Sequence, residues 1–240
     1  MIMDIKNLLI SKAKEIGVKV SPVQAEQFQI YLDLLLERNT VMNLTAITDP
    51  EEAVIKHFVD SLTLLKALEI KKNAKVIDVG TGAGFPGIPL KIMRPDIELT
   101  LLDSLNKRIN FLNRVIEALE LTDIETIHGR AEDFGRNPKY REQFDLCVSR
   151  AVANLSTLSE YCVPFVQIGG HFIPYKSGKV QEEMEVSQRA VTLLGGSIVD
   201  CLSYNLADTD MERSLVIIEK VKPTKKAYPR KAGKPSKEPL

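Results

Sequence analysis

The run VIDVGTGAGFPG at residues 76–87 sets four glycines, Gly80, Gly82, Gly84 and Gly87, behind an apolar strand pattern interrupted only by Asp78. The β-branched Val76, Ile77 and Val79 suit a strand buried on both faces. The glycines let the backbone turn tightly and approach a ligand with no Cβ in the way. A helix that starts just after such a turn aims its N-terminus at that ligand. Asp103 ends the next apolar run, Leu99-Thr100-Leu101-Leu102. A carboxylate there can accept hydrogen bonds from both hydroxyls of a ribose. Arg150 closes a later strand pattern, in SRAVANL (149–155), and is the candidate catalytic residue. Together these groups describe a nucleoside-cofactor site beside a reacting centre.

The glycine run can be read in two frames. From Gly82, through Gly84 and Gly87, it satisfies GxGxxG, the dinucleotide pattern of NAD and FAD proteins. From Asp78 it is acidic-x-GxGxG and resembles motif I of the class I S-adenosylmethionine methyltransferases, with Asp78, Gly80, Gly82, Gly84 and Phe85 as cofactor residues. Pro86 and Pro89 suit the first turn of a helix and offer no N–H to a pyrophosphate. Asp103 serves either cofactor.

The elements that must position these groups follow from periodicity. Residues 1–70 read as a helical extension. Ser21-Pro22-Val23-Gln24 is a capping box with proline at the first helical position, ahead of Phe28, Tyr31, Leu32 and Leu35 on one face. Asp49-Pro50-Glu51-Glu52 repeats the device, and Asn39 to Thr48 reads as a loop between the two helices. From 71 to 221 strands alternate with helices. Strands are expected near 75–80, 98–103, 124–128, 144–149, 169–175, 197–203 and 213–220, with helices at 105–119 and 178–194. That alternation predicts an α/β fold with a mostly parallel sheet covered on both faces. Gly195-Gly196 precedes two consecutive strands joined only by a loop, which makes the last pair antiparallel. A seven-stranded sheet closing this way fits a class I methyltransferase (Rossmann-like) core better than a six-stranded dinucleotide domain. An NAD-dependent oxidoreductase would also need a substrate domain, for which no residues remain after 220.

Composition bounds the rest. The 240 residues carry 32 basic and 32 acidic side chains, yet residues 222–240 hold seven of the basic ones against Glu238 alone, with four prolines. Such a segment is expected to stay extended and solvated and to contact a phosphate backbone, with Tyr228 as a stacking surface. No apolar run reaches the roughly 18 residues of a membrane span, and the N-terminus lacks a signal-peptide pattern, so a cytoplasmic protein is expected. Cys147, Cys162 and Cys201 have no CxxC spacing and read as buried free thiols. His57, His128 and His171 form no catalytic or zinc set, and no metal is expected. Lys176-Ser177 lacks the glycine of a P-loop.

Absences narrow the reaction. The fourth strand is followed by SRAVA rather than the Asn/Asp-Pro-Pro-aromatic turn used on exocyclic amines. No cysteine is placed for attack on cytosine, and position 150 is not the aspartate expected for ribose methylation. A purine ring nitrogen such as guanine N7 needs no deprotonation. Alignment alone, worth about 7 to 11 kcal/mol in favourable cases, could then carry catalysis without a general base.

NLTAI (43–47), HFVDSL (57–62), DVGTGAGFPGIP (78–89), LLDSLNKRINFL (101–112), GRAEDF (129–134), SRAVANL (149–155) and YPRKAGKPSKEPL (228–240) together resemble the RsmG (GidB) family, bacterial small-subunit ribosomal RNA guanine-N7 methyltransferases, over nearly the whole chain. The resemblance implies S-adenosyl-L-methionine held by Gly80, Phe85, Ala131, Glu132 and Arg150, with Asp103 at the ribose, and a target guanine in the decoding region. Arg150 would hold the methionine carboxylate or steer the guanine. Lys176, Lys225, Lys226, Tyr228, Arg230, Lys231 and Lys234 become candidate RNA contacts of a monomer acting on small-subunit rRNA or the subunit itself. A non-catalytic RNA-binding protein on the same fold remains the other reading beside the oxidoreductase.

Overall fold

A computed structural model describes residues 4–150, 153–178, 180–207 and 209–240. Met1 to Met3 of the helical extension, Ala151 and Val152 of SRAVANL, Lys179 and Asp208 lie outside the described residues.

The described residues form a seven-stranded sheet: β1 (Lys75–Val79), β2 (Glu98–Asp103), β3 (Ile124–His128), β4 (Phe144–Arg150), β5 (Val166–Ser177), β6 (Gly196–Asn205) and β7 (Glu212–Lys220), in spatial order β3-β2-β1-β4-β5-β7-β6. The first five strands run parallel, and β7 lies antiparallel between β5 and β6. Strand order reverses between β1 and β4, which opens a crevice beyond their carboxyl ends. The glycine turn and Arg150 stand at that crevice.

Both faces of the central strands are buried, by alternate residues. Val76, Leu146 and Val148 join one apolar cluster, while Ile77 and Cys147 join the other. The first cluster also contains Leu9, Phe28, Tyr31, Leu32, Leu35, Phe58 and Leu62, so the N-terminal helices are one covering layer of the sheet. Helix α1 spans Ile5–Glu15 and α2 spans Pro22–Met42. The expected capping box is present: Gln24 N–H donates to Ser21 Oγ at 3.3 Å, and Ser21 N–H to Gln24 Oε1 at 3.0 Å. The loop expected from Asn39 starts later, because α2 continues to Met42 and ends where Asn43 turns left-handed at φ 50°. Asn39 is instead a buried helical residue whose Oδ1 accepts the Thr45 N–H at 2.9 Å.

Asp49 caps α3 (Pro50–Ala53), which runs into a π-helical stretch, Val54–Val59, then α4 (Asp60–Leu62) and α5 (Leu64–Ala67). π segments recur at functional sites because the wider turn re-aims side chains and frees carbonyls. Here that turn carries Lys56 and His57. α6 (Gly87–Met93) follows the glycine turn, α7 (Asn106–Ala118) follows β2, and α8 (Ala131–Phe134) follows β3. α9 (Leu155–Cys162) and α10 (Val180–Leu193) flank β5 in sequence. β5 begins at Val166, earlier than expected, because its pairing with β4 slips between Phe144 and Leu146 and the strand continues through Gly169 and Gly170.

The C-terminal segment departs most from expectation. Residues 222–240 do not extend into solvent; they lie along the protein and end in a short helix, α11 (Lys234–Lys237). Arg141 Nη1 donates to the Tyr228 carbonyl at 2.8 Å, Arg141 Nη2 to the Thr224 carbonyl at 2.6 Å, and Arg136 Nε to the Pro229 carbonyl at 2.7 Å. Composition predicted solvation because the segment has few apolar side chains. The fold supplies donors to its backbone carbonyls instead. All three cysteines are free thiols; Cys147 and Cys162 are buried and Cys201 is half-buried.

Candidate active site

A cavity of about 660 Å³ opens beyond the carboxyl ends of β1, β2, β4 and β5, walled on the other side by the loop after α2 and the π segment. Of the sequence-predicted residues, Gly80, Gly82, Phe85, Asp103, Arg150 and Lys176 line it. Asp78, Gly84, Ala131 and Glu132 do not.

Asp78 builds the turn from beneath. Its fully buried carboxylate accepts Thr81 Oγ1 and the Gly87 N–H, both at 2.8 Å, through Oδ2. Its other oxygen, Oδ1, is buried with no hydrogen-bond partner. Burial pushes this carboxyl up to about 7, against the opposing hydrogen bonds from Thr81 and Gly87. The Gly87 N–H is therefore spent on a side chain and is not offered to a ligand. Gly84 faces protein: a Cβ there would stand 2.6 Å from Tyr31 Oη. Gly82, at φ +62°, is the open position, where a Cβ would meet nothing within 4 Å.

Asp103 stands at the tip of β2, only 2% exposed. Oδ2 accepts the Gly82 N–H at 2.9 Å and Oδ1 the Leu105 N–H at 2.9 Å, and Arg108 Nη1 pairs with it at 3.1 Å. Glycine turn and strand-tip acid are thus one hydrogen-bonded unit.

Arg150 is fixed from the N-terminal layer. Nη1 donates to Asp60 Oδ2 at 3.0 Å and to the Lys56 carbonyl at 3.2 Å, while Nη2 donates to His57 Nδ1 at 3.3 Å. Its ion-pair partner is Asp60. The guanidinium carbon lies 4.9 Å from the centroid of Phe85, which also stacks on His57 at 4.6 Å and on Tyr31 at 5.3 Å. Phe85 is 6% exposed, so protein groups take most of the ring expected to cover the cofactor. Asp60 is shared further: Tyr204 Oη donates to Oδ1 at 3.2 Å, and Arg213 Nε pairs with it at 3.7 Å.

His57, set aside on sequence grounds, is therefore a cavity residue. Since its Nδ1 accepts from Arg150, Nε2 carries the proton and donates to Thr45 Oγ1 at 2.8 Å. Burial, with the Arg150 charge second, pushes this imidazole down to about 3. A legible signal was the HFVD spacing, which puts His57 and Asp60 three apart on one helix face. Lys176 donates to the Ala153 carbonyl at 2.9 Å and pairs with Glu183 at 2.7 Å.

The other predicted positions lie elsewhere. Glu132, 4% exposed, accepts the Gly233 N–H at 2.8 Å, which turns it toward the C-terminal segment. Arg230 is spent on Glu160, with Nη2 to Oε2 at 2.6 Å, and Tyr228 packs half-buried on the second apolar cluster, so neither stands free for RNA. Lys225, Lys226, Lys231 and Lys234 are exposed. Among the described residues no group of three His, Cys, Asp or Glu could hold a metal ion, and no helix is long and apolar enough to cross a membrane.

Residues 24–212 match the family GidB, rRNA small subunit methyltransferase G. A curated relative of that name, ribosomal RNA small subunit methyltransferase G, from Lachnoclostridium phytofermentans is 55% identical over 231 residues, covering 96% of each chain. A namesake from Acetivibrio thermocellus is 51% identical over 238 residues, 99% of this chain and 98% of that one. Among solved structures, the complex of the Haloferax volcanii Trm112 methyltransferase activator with a putative methyltransferase aligns at TM-score 0.58 with 13% identity, over 80% of this chain and 98% of that one. M. jannaschii TYW2 in complex with AdoMet aligns at TM-score 0.52 with 14% identity, over 68% and 77%. Identities that low speak for the fold, a class I methyltransferase core. The match across residues 24–212 and half-identical relatives of full length together show that this chain belongs to the rRNA small subunit methyltransferase G family.

Proposed function

We propose that the chain transfers a methyl group from S-adenosyl-L-methionine to N7 of a guanine in the decoding region of small-subunit rRNA, acting in the cytoplasm as a monomer. One observation carries the choice of target atom. Every carboxylate lining the cavity is engaged by a cation: Asp60 by Arg150, Asp103 by Arg108 and Glu183 by Lys176. His57 spends its lone pair on Arg150. Among the described residues, every carboxylate and the histidine of the lining are thus already engaged, and guanine N7 is nucleophilic without losing a proton.

The residues fit the cofactor. An orphaned buried acceptor, Asp78 Oδ1, lies under a glycine turn whose Gly82 leaves open space, and Asp103 stands at the adjoining strand tip. Bound S-adenosyl-L-methionine supplies an electrophilic methyl on a sulfonium. Asp78, beneath the turn, would keep its backbone in place through Thr81 and the Gly87 N–H. Asp103 would accept the ribose hydroxyls in place of Arg108. Arg150, stacked on Phe85, keeps a fixed positive charge for the methionine carboxylate or the guanine carbonyl. His57, neutral near pH 7, holds Arg150 without competing for its charge. Catalysis then rests on alignment, for which effective molarity supplies about 7 to 11 kcal/mol at best.

The exposed Lys225, Lys226, Lys231 and Lys234 supply phosphate contacts, while Lys176 is held at the cavity by Glu183. The test is incubation with methyl-labelled cofactor and small subunits that lack the modification. Label entering rRNA supports the reading. Its absence, with RNA bound but no turnover, leaves a non-catalytic RNA-binding protein.

A further inference from the structure

The C-terminal segment rests on two buried acids. Glu160 is 0% exposed, on the buried α9, and accepts the Arg230 backbone N–H at 2.7 Å, Nε at 2.9 Å and Nη2 at 2.6 Å. Glu132, in the first turn of α8, accepts the Gly233 N–H. Ser156 Oγ donates to the Leu240 carbonyl at 2.8 Å, and Thr157 Oγ1 to the Pro235 carbonyl at 3.1 Å, which ties the segment to the first turn of α9. A buried carboxylate stripped of its partner is strongly disfavoured, so α8 and α9 keep these positions only while the segment is docked.

The two helices are where this matters for the site. α8 opens directly after β3, whose end pairs beside Asp103. The Gly129 N–H also donates to the Asp103 carbonyl, at 3.0 Å. α9 opens after the tip of β4, which ends in Arg150, and its Leu155 N–H donates to Glu183, the partner of Lys176. A segment that bridges α8 and α9 therefore holds the helix that opens beside Asp103 and the helix whose first N–H meets Glu183.

We infer that residues 228–240 are a brace for the cofactor side of the site, with Arg230 and the Gly233 N–H as its positioning contacts. Its role in binding RNA is a separate property of its outward lysines. The inference rests on the proposed cofactor reading. It divides residues 222–240 by chemistry: the inner face holds Glu160 and Glu132, while Lys225, Lys226, Lys231, Lys234 and Lys237 are exposed.

The test uses the full chain with S-adenosylhomocysteine as calorimetric probe. Arg230→Ala should raise its Kd and the KM for S-adenosylmethionine by about tenfold, with kcat at saturating cofactor changed far less. Arg230→Lys should restore part of the loss. Replacing the five exposed lysines by Gln should leave the Kd within about twofold, since none of them makes a brace contact. Asp96→Ala, which breaks an ion pair with Arg94 away from the cavity, controls for general destabilisation. A folded Arg230→Ala protein with unchanged cofactor affinity overturns the brace. So does equal weakening by the lysine set, or by Asp96→Ala at a matched fall in Tm. Failure of the unmodified chain to bind the probe overturns the cofactor reading, and the brace with it.

Discussion

Arg150 at the tip of β4 and Asp60 in the N-terminal helices meet at 3.0 Å across 90 residues of sequence. This pair couples the layer that supplies His57 to the sheet that supplies the glycine turn. It also leaves Asp60, 3% exposed at its side chain, between two arginines.

Removing that carboxylate strands two guanidinium groups. Asp60→Ala is expected to cost about 3 kcal/mol of stability, as for a broken buried pair. It should also lower kcat/KM about a hundredfold, because Arg150 loses its orientation. Asp60→Asn, which keeps one acceptor, should fall between. Denaturant unfolding and methyl transfer measured on the same samples check both.

Gly82 and Gly87 should separate cleanly. Gly87→Ala places a Cβ 2.6 Å from Leu101 Cδ2 and 2.9 Å from Asp78 Oδ2, so its loss appears as instability of about 1 to 3 kcal/mol. Gly82→Ala meets no atom within 4 Å and pays only for its left-handed backbone, about 1 kcal/mol. Its methyl group occupies ligand space, and cofactor Kd should rise at least about tenfold. Calorimetry beside thermal melting distinguishes the two.

The pH dependence of stability carries opposed contributions. Asp78 moves from its ordinary 3.8 to about 7, chiefly through burial, so it stabilises the fold fully below 3.8 and loses that contribution as pH rises through about 7. His57 moves from 6.5 to about 3, again chiefly through burial, so the unfolded chain takes up a proton first and stability falls as pH drops from 6.5 toward 3. Asp78→Asn should make the stability curve rise more steeply with pH between about 4 and 7. His57→Gln should make it rise less between about 6 and 4. Urea unfolding across that range reads both signs.

The strands and the glycine turn were legible because each is local: β-branched runs, a period of two and glycines at fixed spacing. The expected seven strands with an antiparallel closing pair follow from the same signals. What escaped was non-local. Lys56-His57-Phe58 looks like any helix stretch until a π turn and Arg150 meet it. The C-terminal segment read as solvated because its charge was counted within the segment, whereas its partner Glu160 lies 70 residues away.

RNA affinity should show the exposed lysines directly. Replacing Lys225, Lys226, Lys231 and Lys234 by Gln is expected to weaken rRNA binding and to reduce the slope of log K against log salt by up to about 0.7 to 0.9 for each phosphate no longer neutralised. Filter binding over a salt series measures this, and an unchanged slope would remove these residues from the interface.

The central claim concerns the atom that receives the methyl group. After reaction with labelled S-adenosylmethionine, unmodified small subunits are treated for N7-methylguanine-dependent strand cleavage and the label is mapped. The account predicts cleavage and label at one guanine of the decoding region. Label on an exocyclic amine, a ribose or a pyrimidine would contradict it.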